Sequence, residues 1–129
     1  MTKAKKSRRN IYVFGNTLLQ KDSLAVEIAK KLKKDFPEIN FIHLDPNEEI
    51  KEKNITILDV ATGIKKATVI KNLEQLDSEK RFSLHDFDLA FSLKLMKKIG
   101  MIKKIIIIAV PMMYDKKRAY EEVKKLIST

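Results

Sequence analysis

The sequence predicts a three-layer α/β sandwich, in which a mainly parallel sheet of about five strands carries helices on both faces. Short apolar segments alternate along the chain with amphipathic segments of helical period, an order typical of parallel sheets. The segment KKIIIIAV at 103–110 is almost continuously apolar and predicts a central strand covered on both faces. A chain of 129 residues, 44% of them hydrophobic, is large enough to enclose one packed core.

The first half of the chain predicts two strands around one helix. IYVF at 11–14 is a short buried strand, and a Gly-Asn pair ends it. From 23 to 34, apolar residues recur at helical spacing while lysines occupy the other face. This apolar stripe consists of Leu24, Ala25, Ile28, Ala29 and Leu32. Pro37 ends the helical unit, and INFIHL at 39–44 predicts the second strand.

The second half predicts two strands and two helices besides the central strand. NITILDV at 54–60 and the β-branched ATVIKNL at 67–73 indicate the third and fourth strands. The segment 83–99 predicts a helix followed by Gly100, and 115–127 predicts the last helix. The stripe expected for the first of these helices is Leu84, Phe87, Phe91 and Leu95. The residues expected to face inward from the second are Tyr120, Val123 and Ile127.

We divide the chain into a basic leader, 1–10, which we expect to be disordered, and a single α/β domain, 11–129. The formal net charge is +10, and part of it comes from the leader. No aromatic residues alternate with the basic ones to form a stacking platform, so nucleic-acid binding is not expected. The absence of cysteine excludes disulfides, zinc–thiolate sites and a catalytic thiol. No segment is long and apolar enough to span a membrane, and we expect a cytoplasmic protein without a membrane partner.

Polar residues follow several predicted strands, at the sheet edge where α/β proteins bind their ligands. Asp22 follows the first strand, Asp45 the second, and His85 the fourth, while Asp59 closes the third. Asp22 also suits a helix cap, and Asp45 before proline suits a turn. Asp59 favours a functional role, because a carboxylate ending a buried strand needs a compensating partner. His43 lies within an alternating strand, so we interpret it as structural.

Asp22, Asp59 and His85 combine two carboxylates with an imidazole. Such a set suits nickel, zinc or another divalent ion. The sequence therefore predicts a metal-contacting site built from residues that are far apart in the chain.

Three segments resemble one family. GNTLLQKDS at 15–23 is similar to the G-N-x-L-x-x-D-[DE] loop of the hydrogenase maturation endopeptidases. ILDVATG at 57–63 resembles their second motif, an apolar strand ending in Asp, and SLHDFDLAFSLKL at 83–95 resembles their S-x-H-x-x-x-L helix start. The order and spacing of the segments agree with the family, and the similarity covers nearly all of the chain after the leader.

The resemblance implies a protease that removes the C-terminal extension from the large-subunit precursor of a nickel–iron hydrogenase after nickel insertion. It implies that Asp22, Asp59 and His85 are the catalytic residues and contact the metal, as in an aspartyl-type, metal-dependent site. The nickel would be supplied by the precursor, which is the expected partner, and the same ligands also suit other divalent ions.

Several positions depart from the family pattern. Lys21 stands where an acidic residue is frequent, Ser23 replaces a Gly or Ala, and DPNEE at 45–49 replaces an Asp followed by Gly-Thr. A homologue that binds the nickel-site precursor without cleaving it is therefore one alternative. A receiver-like signalling domain is another, since Asp59 matches the position of its phosphoacceptor, although the acidic pair that holds magnesium is missing. A nucleotide-binding module is disfavoured because the first turn contains one glycine, Gly15.

Overall fold

A computed structural model describes residues 9–14, 23–43, 52–71, 83–84 and 87–128. This part of the chain forms six strands and three helices. The strands are β1 (Arg9–Val13), β2 (Ile39–His43), β3 (Asn54–Thr62), β4 (Thr68–Ile70), β5 (Ser83–Leu84) and β6 (Lys104–Pro111). The helices are α1 (Ser23–Asp35), α2 (Phe87–Lys98) and α3 (Lys116–Ser128).

The strands form one mainly parallel sheet. Five of them lie in the order β2–β1–β3–β6–β4, and β5 pairs with β3 outside this path. Strands β2, β1, β3 and β6 are parallel, whereas β4 runs antiparallel to β6 and β5 antiparallel to β3. The predicted fold class is confirmed: a mainly parallel sheet of about five strands lies between helices on both faces.

Helices α1 and α3 cover one face of the sheet. Every member of the stripe predicted for α1 is buried, as the 3.6-residue period requires. In α3, Ala119 and Val123 are fully buried, and Tyr120 and Ile127 pack at the edge of the same core. The Arg118 N–H donates to Asp115 Oδ1 at 2.8 Å, so Asp115 caps α3, which begins one residue after the predicted start.

Helix α2 covers the opposite face, but not through the predicted stripe. Leu93 is fully buried and Met96 packs against the core, whereas Leu95 is 47% exposed. Consecutive residues are about 100° apart around a helix, so Leu93 and Leu95 lie on nearly opposite sides and cannot both face the sheet. The prediction for Leu95 is therefore wrong. The side chains of Phe87 and Phe91 lie outside the described residues.

Several element boundaries differ from the predictions because of strand pairing. Ser83 and Leu84 form β5 rather than the first helical turn, since they pair with Thr62 and Ala61 of β3. Strand β3 extends beyond its predicted end because β6 pairs with it up to Ala61 and β5 pairs with Thr62. Strand β1 starts at Arg9, within the predicted leader, because that residue pairs with Ile39. None of the described helices is long and apolar enough to cross a membrane.

Strand β4 is shorter than its predicted range of 67–73. It comprises Thr68–Ile70 and forms the antiparallel edge of the sheet, while residues 72–73 lie outside the described part. The central position predicted for the apolar strand is confirmed, because β6 lies between β3 and β4 and is buried on both faces.

Candidate functional site

Asp59 lies inside the sheet, on strand β3. Its side chain is 4% exposed, and among the described residues no other charged residue is buried. The strand continues for three residues beyond it, so Asp59 does not close β3 as the sequence predicted. Because side chains alternate along a strand, Asp59 lies on the face that carries Ile57 and Ala61, the face covered by α2.

The neighbours of Asp59 across the sheet are apolar. Ala109 of β6 is its register partner and is fully buried. On the other side, the Phe14 N–H donates to the Leu58 carbonyl oxygen at 3.1 Å, which brings Phe14 next to this level of β3. Burial of a carboxylate costs free energy because it loses hydration, and polar contacts are needed to offset that loss. The burial of Asp59 agrees with the sequence analysis, and its functional role remains a prediction.

The segments that flank His85 reach the same end of β3. Strand β5 ends at Leu84, which pairs with Ala61, two residues beyond Asp59. Helix α2 then begins at Phe87 and runs over the face that carries Asp59. His85 itself lies outside the described residues. The chain is thus led to the carboxyl end of β3 immediately before position 85 and away from it immediately after.

Asp22 and Asp45 also lie outside the described residues. Of the three predicted metal-contacting residues, Asp22, Asp59 and His85, the structure describes Asp59 alone. Helix α1 begins at Ser23, directly after Asp22, on the sheet face opposite α2. Within the described ranges, no group of three or more His, Asp or Glu side chains is arranged to hold a metal ion. Convergence of Asp22, Asp59 and His85 on one metal remains a prediction.

A polar cluster near the same sheet edge was not predicted from the sequence. The Ala67 N–H donates to Glu122 Oε1 at 3.0 Å, and the Tyr114 hydroxyl donates to the Lys65 carbonyl oxygen at 2.9 Å and reaches Glu122 at 3.1 Å. Arg118 lies over the Tyr114 ring, 4.3 Å from its centroid, and pairs with Glu122 at 3.4 Å. These contacts tie the loop that follows β3 to helix α3.

The charge state of this cluster follows from its hydrogen bonds. Donation from the Ala67 N–H, followed in importance by donation from Tyr114 and by the Arg118 charge, lowers the pKa of Glu122 against the opposing effect of burial. Burial and the bond to Glu122 raise the pKa of Tyr114, so the phenol stays protonated at neutral pH. The i, i+4 spacing of Arg118 and Glu122 was visible in the sequence. The contacts with residues 65–67 were not, because they join distant parts of the chain.

A second polar cluster lies at the amino edge of the sheet, away from Asp59. The Asn10 side-chain amide donates to Glu52 Oε2 at 2.9 Å, and the Asn40 amide donates to Asn10 Oδ1 at 3.1 Å. The Tyr12 hydroxyl also donates to Glu52; burial first, and then this bond, raise the pKa of Tyr12 to about 12. The cluster joins β1 to β2 and to Glu52, two residues before β3, so we assign it a structural role.

Comparison with known proteins identifies structural neighbours. No family model matches the chain, and no curated protein matches its sequence. The hydrogenase 3 maturation protease has a similar structure, with a TM-score of 0.57 and 16% identity over 92% of this chain and 88% of that protein. An uncharacterized protein from Wolinella succinogenes has a TM-score of 0.56 and 14% identity over 93% of this chain and 96% of its own. At these identities the likeness concerns the fold: nearly the whole chain folds like a hydrogenase maturation protease.

Proposed function

We propose that the chain is an endopeptidase that removes the C-terminal extension of a nickel–iron hydrogenase large-subunit precursor after nickel has been inserted. The observation that carries this proposal is a buried carboxylate, Asp59, on a central strand of a fold similar to that of a hydrogenase maturation protease. The similarity extends over 92% of the chain, which makes it a property of the whole domain.

In this proposal, Asp22, Asp59 and His85 contact the nickel of the precursor. The path of the chain supports the pairing of Asp59 with His85. Strand β5, which ends one residue before His85, pairs with β3. Helix α2, which begins two residues after His85, covers the face of β3 that carries Asp59. Nickel is here part of the substrate. A divalent ion held beside the scissile bond polarises the carbonyl group or activates a water molecule. Contact with the ion also lets the enzyme distinguish a nickel-filled precursor from an empty one.

The test is incubation of the protein with the nickel-loaded precursor and with the same precursor lacking nickel. Mass analysis should show loss of a C-terminal peptide from the loaded precursor and none from the empty one. A loaded precursor that stays intact contradicts the proposed activity. If it stays intact but binds the protein, the non-cleaving homologue is the better description, in agreement with the departures at Lys21, Ser23 and 45–49.

The two histidines of the chain supply a matched pair of variants. His85→Ala should abolish processing in a protein that still folds, because the substitution removes one proposed nickel contact and leaves the apolar core of the described residues unchanged. His43→Ala should process the precursor at the wild-type rate, since His43 is exposed at the end of β2. A folded His85→Ala protein that cleaves normally would remove His85 from the site.

A further inference from the structure

An exposed apolar patch lies where helix α2 ends. Leu95 is 47% exposed, Ile99 61% and Met101 47%. The turn that presents them is well defined: the Met101 N–H donates to the Met96 carbonyl oxygen at 2.9 Å and the Gly100 N–H to that of Lys97 at 3.2 Å. This is a Schellman motif, and Gly100 provides its positive φ of 87°. The patch is therefore a fixed surface of the fold.

The patch lies far from the candidate site. The N–H groups of Lys103 and Lys104 donate to the Lys53 carbonyl oxygen at 2.7 and 3.1 Å, which places the end of this turn at the amino edge of the sheet. Asp59 is six residues further along β3, a separation of roughly 20 Å at the usual rise per strand residue. Substitutions in the patch are therefore expected to leave Asp59 in place.

Lysines flank the patch, and none of them has an acidic partner among the described residues. The chain has no Asp or Glu between Asp88 and Asp115 but has five lysines there: Lys94, Lys97, Lys98, Lys103 and Lys104. The last four are exposed, and in the part of the chain that the structure describes none of the five forms an ion pair. On the opposite sheet face, by contrast, several basic side chains have acidic partners. There, Lys30 and Lys116 pair with Glu27, and Lys124 pairs with Asp35.

An apolar centre inside a rim of one charge is the composition of a protein interface. A second copy of this chain fits it poorly, because a symmetric contact would bring the two lysine rims together. The complement is a surface with an apolar centre and acidic residues around it. We propose that this lysine-rimmed patch, Leu95, Ile99 and Met101 with its lysines, docks such an acidic segment of the large-subunit precursor. The identity of the partner rests on the proposed function.

The test compares two charge reversals of the same size. Lys97→Glu/Lys98→Glu changes the rim, and Lys33→Glu/Lys34→Glu is the control, because both pairs lie in the last turn of a helix and are exposed. Placing two glutamates at a helix C-terminus is unfavourable because of the helix dipole, and this effect is the same in both variants. The rim variant should weaken binding of the nickel-loaded precursor and raise KM by roughly tenfold with kcat unchanged, while the control stays within about twofold. The difference in precursor affinity between the rim variant and the control should shrink when the salt concentration is raised from about 50 to about 300 mM, because salt screens the charges.

The apolar centre is tested with Ile99→Ser and the conservative Ile99→Leu. The serine variant should lose precursor affinity at an unchanged melting temperature, and the leucine variant should retain it. Equal effects of the two charge reversals, or wild-type affinity of both the rim variant and Ile99→Ser, would overturn the inference. Binding to phosphatidylserine vesicles that is lost in Ile99→Ser, together with unchanged precursor binding, would also overturn it. A wild-type dimer that dissociates in Ile99→Ser would do the same.

The two proposals fail in different ways. A wild-type protein that binds the precursor through the patch without shortening it contradicts the proposed activity and leaves the docking surface in place. A wild-type protein that shortens the precursor with equal efficiency in every patch variant contradicts the docking surface alone. A wild-type protein that does not bind the precursor overturns the assigned partner as well as the activity.

Discussion

Asp59 is a carboxylate in a layer of apolar side chains, and this position determines the first prediction. Asp59→Asn keeps the shape of the side chain but removes a charge that is costly to bury. Processing of the precursor should fall by at least about 100-fold, as expected when a charge-stabilising group is lost from an active site. The melting temperature should stay within about 5 °C of wild type, a change of about 1 kcal/mol for a domain of this size.

Asp115→Asn is the control for this variant. Asp115 is exposed and caps α3, and asparagine is an equally good cap, so both stability and activity should be retained. The rate of precursor cleavage and the melting temperature are measured for both variants and for the wild type. A well-folded Asp59→Asn protein that cleaves at the wild-type rate contradicts the assignment of Asp59.

Glu122 and Glu121 form a matched pair on α3. Glu122 accepts hydrogen bonds from Ala67 and Tyr114, whereas Glu121 is exposed. Glu122→Ala leaves the Ala67 N–H without its acceptor and should cost about 1–3 kcal/mol at pH 7, and Glu121→Ala should be nearly neutral. Urea unfolding of both variants measures the difference.

The pH dependence of this effect has a definite sign. The pKa of Glu122 is lower in the folded protein than its ordinary value of 4.5, so the unfolded state takes up a proton first as the pH falls. The stabilisation by the carboxylate is fully present above that ordinary value and is lost as the pH falls through the folded pKa. The stability gap between wild type and Glu122→Ala should therefore narrow below pH 4.5. A gap that widens in acid would show that the charge does not stabilise the fold.

At the scale of elements, strand β1 provides a prediction about where the folded domain begins. Deleting residues 1–8 should leave the melting temperature unchanged, because the apolar pattern starts at Ile11 and β1 at Arg9. Deleting 1–10 also removes two register pairs with β2 and the hydrogen bonds of Asn10 with Glu52 and Asn40. We expect a loss of about 2 kcal/mol for these two side-chain bonds, measured by urea unfolding. Equal stability of the two truncated proteins would contradict this boundary.

The elements also show what the sequence could predict and what it could not. Helix α1 and strand β6 were predictable because a regular local pattern decides which side chains are buried. Strand β5 was missed because Ser83 and Leu84 take their conformation from pairing with β3, which the local sequence does not encode. Leu95 was assigned to the wrong face because apolar residues occur all around α2, and the period then does not select one face.

The same distinction holds for the candidate site. Asp59 could be identified because a single carboxylate interrupts a strand that is otherwise mostly apolar. Its position inside β3 rather than at its end depends on β6, which extends the pairing to Pro111. The contacts of Glu122 with residues 65–67 depend on how α3 packs against the sheet, and local sequence carries no signal for such packing.

At the scale of the whole molecule, the order of the strands separates the proposed peptidase from the receiver-like alternative. A doubly wound signalling domain of that kind has five parallel strands in the order 2-1-3-4-5. In this chain the strand beyond β6 is β4, which is antiparallel and precedes β6 in sequence. The edge strand thus differs from a receiver in both direction and connection.

The last prediction tests the same two alternatives by a reaction. The protein is incubated with acetyl phosphate and magnesium, which phosphorylate receiver domains. Asp59 should gain no phosphoryl group, because the segment after β1 reads Phe-Gly-Asn and lacks the acidic pair that would hold magnesium. Intact-mass measurement of the wild-type and Asp59→Asn proteins checks the result. A phosphoryl mass gain present in the wild type and absent from the variant would favour the receiver over the peptidase.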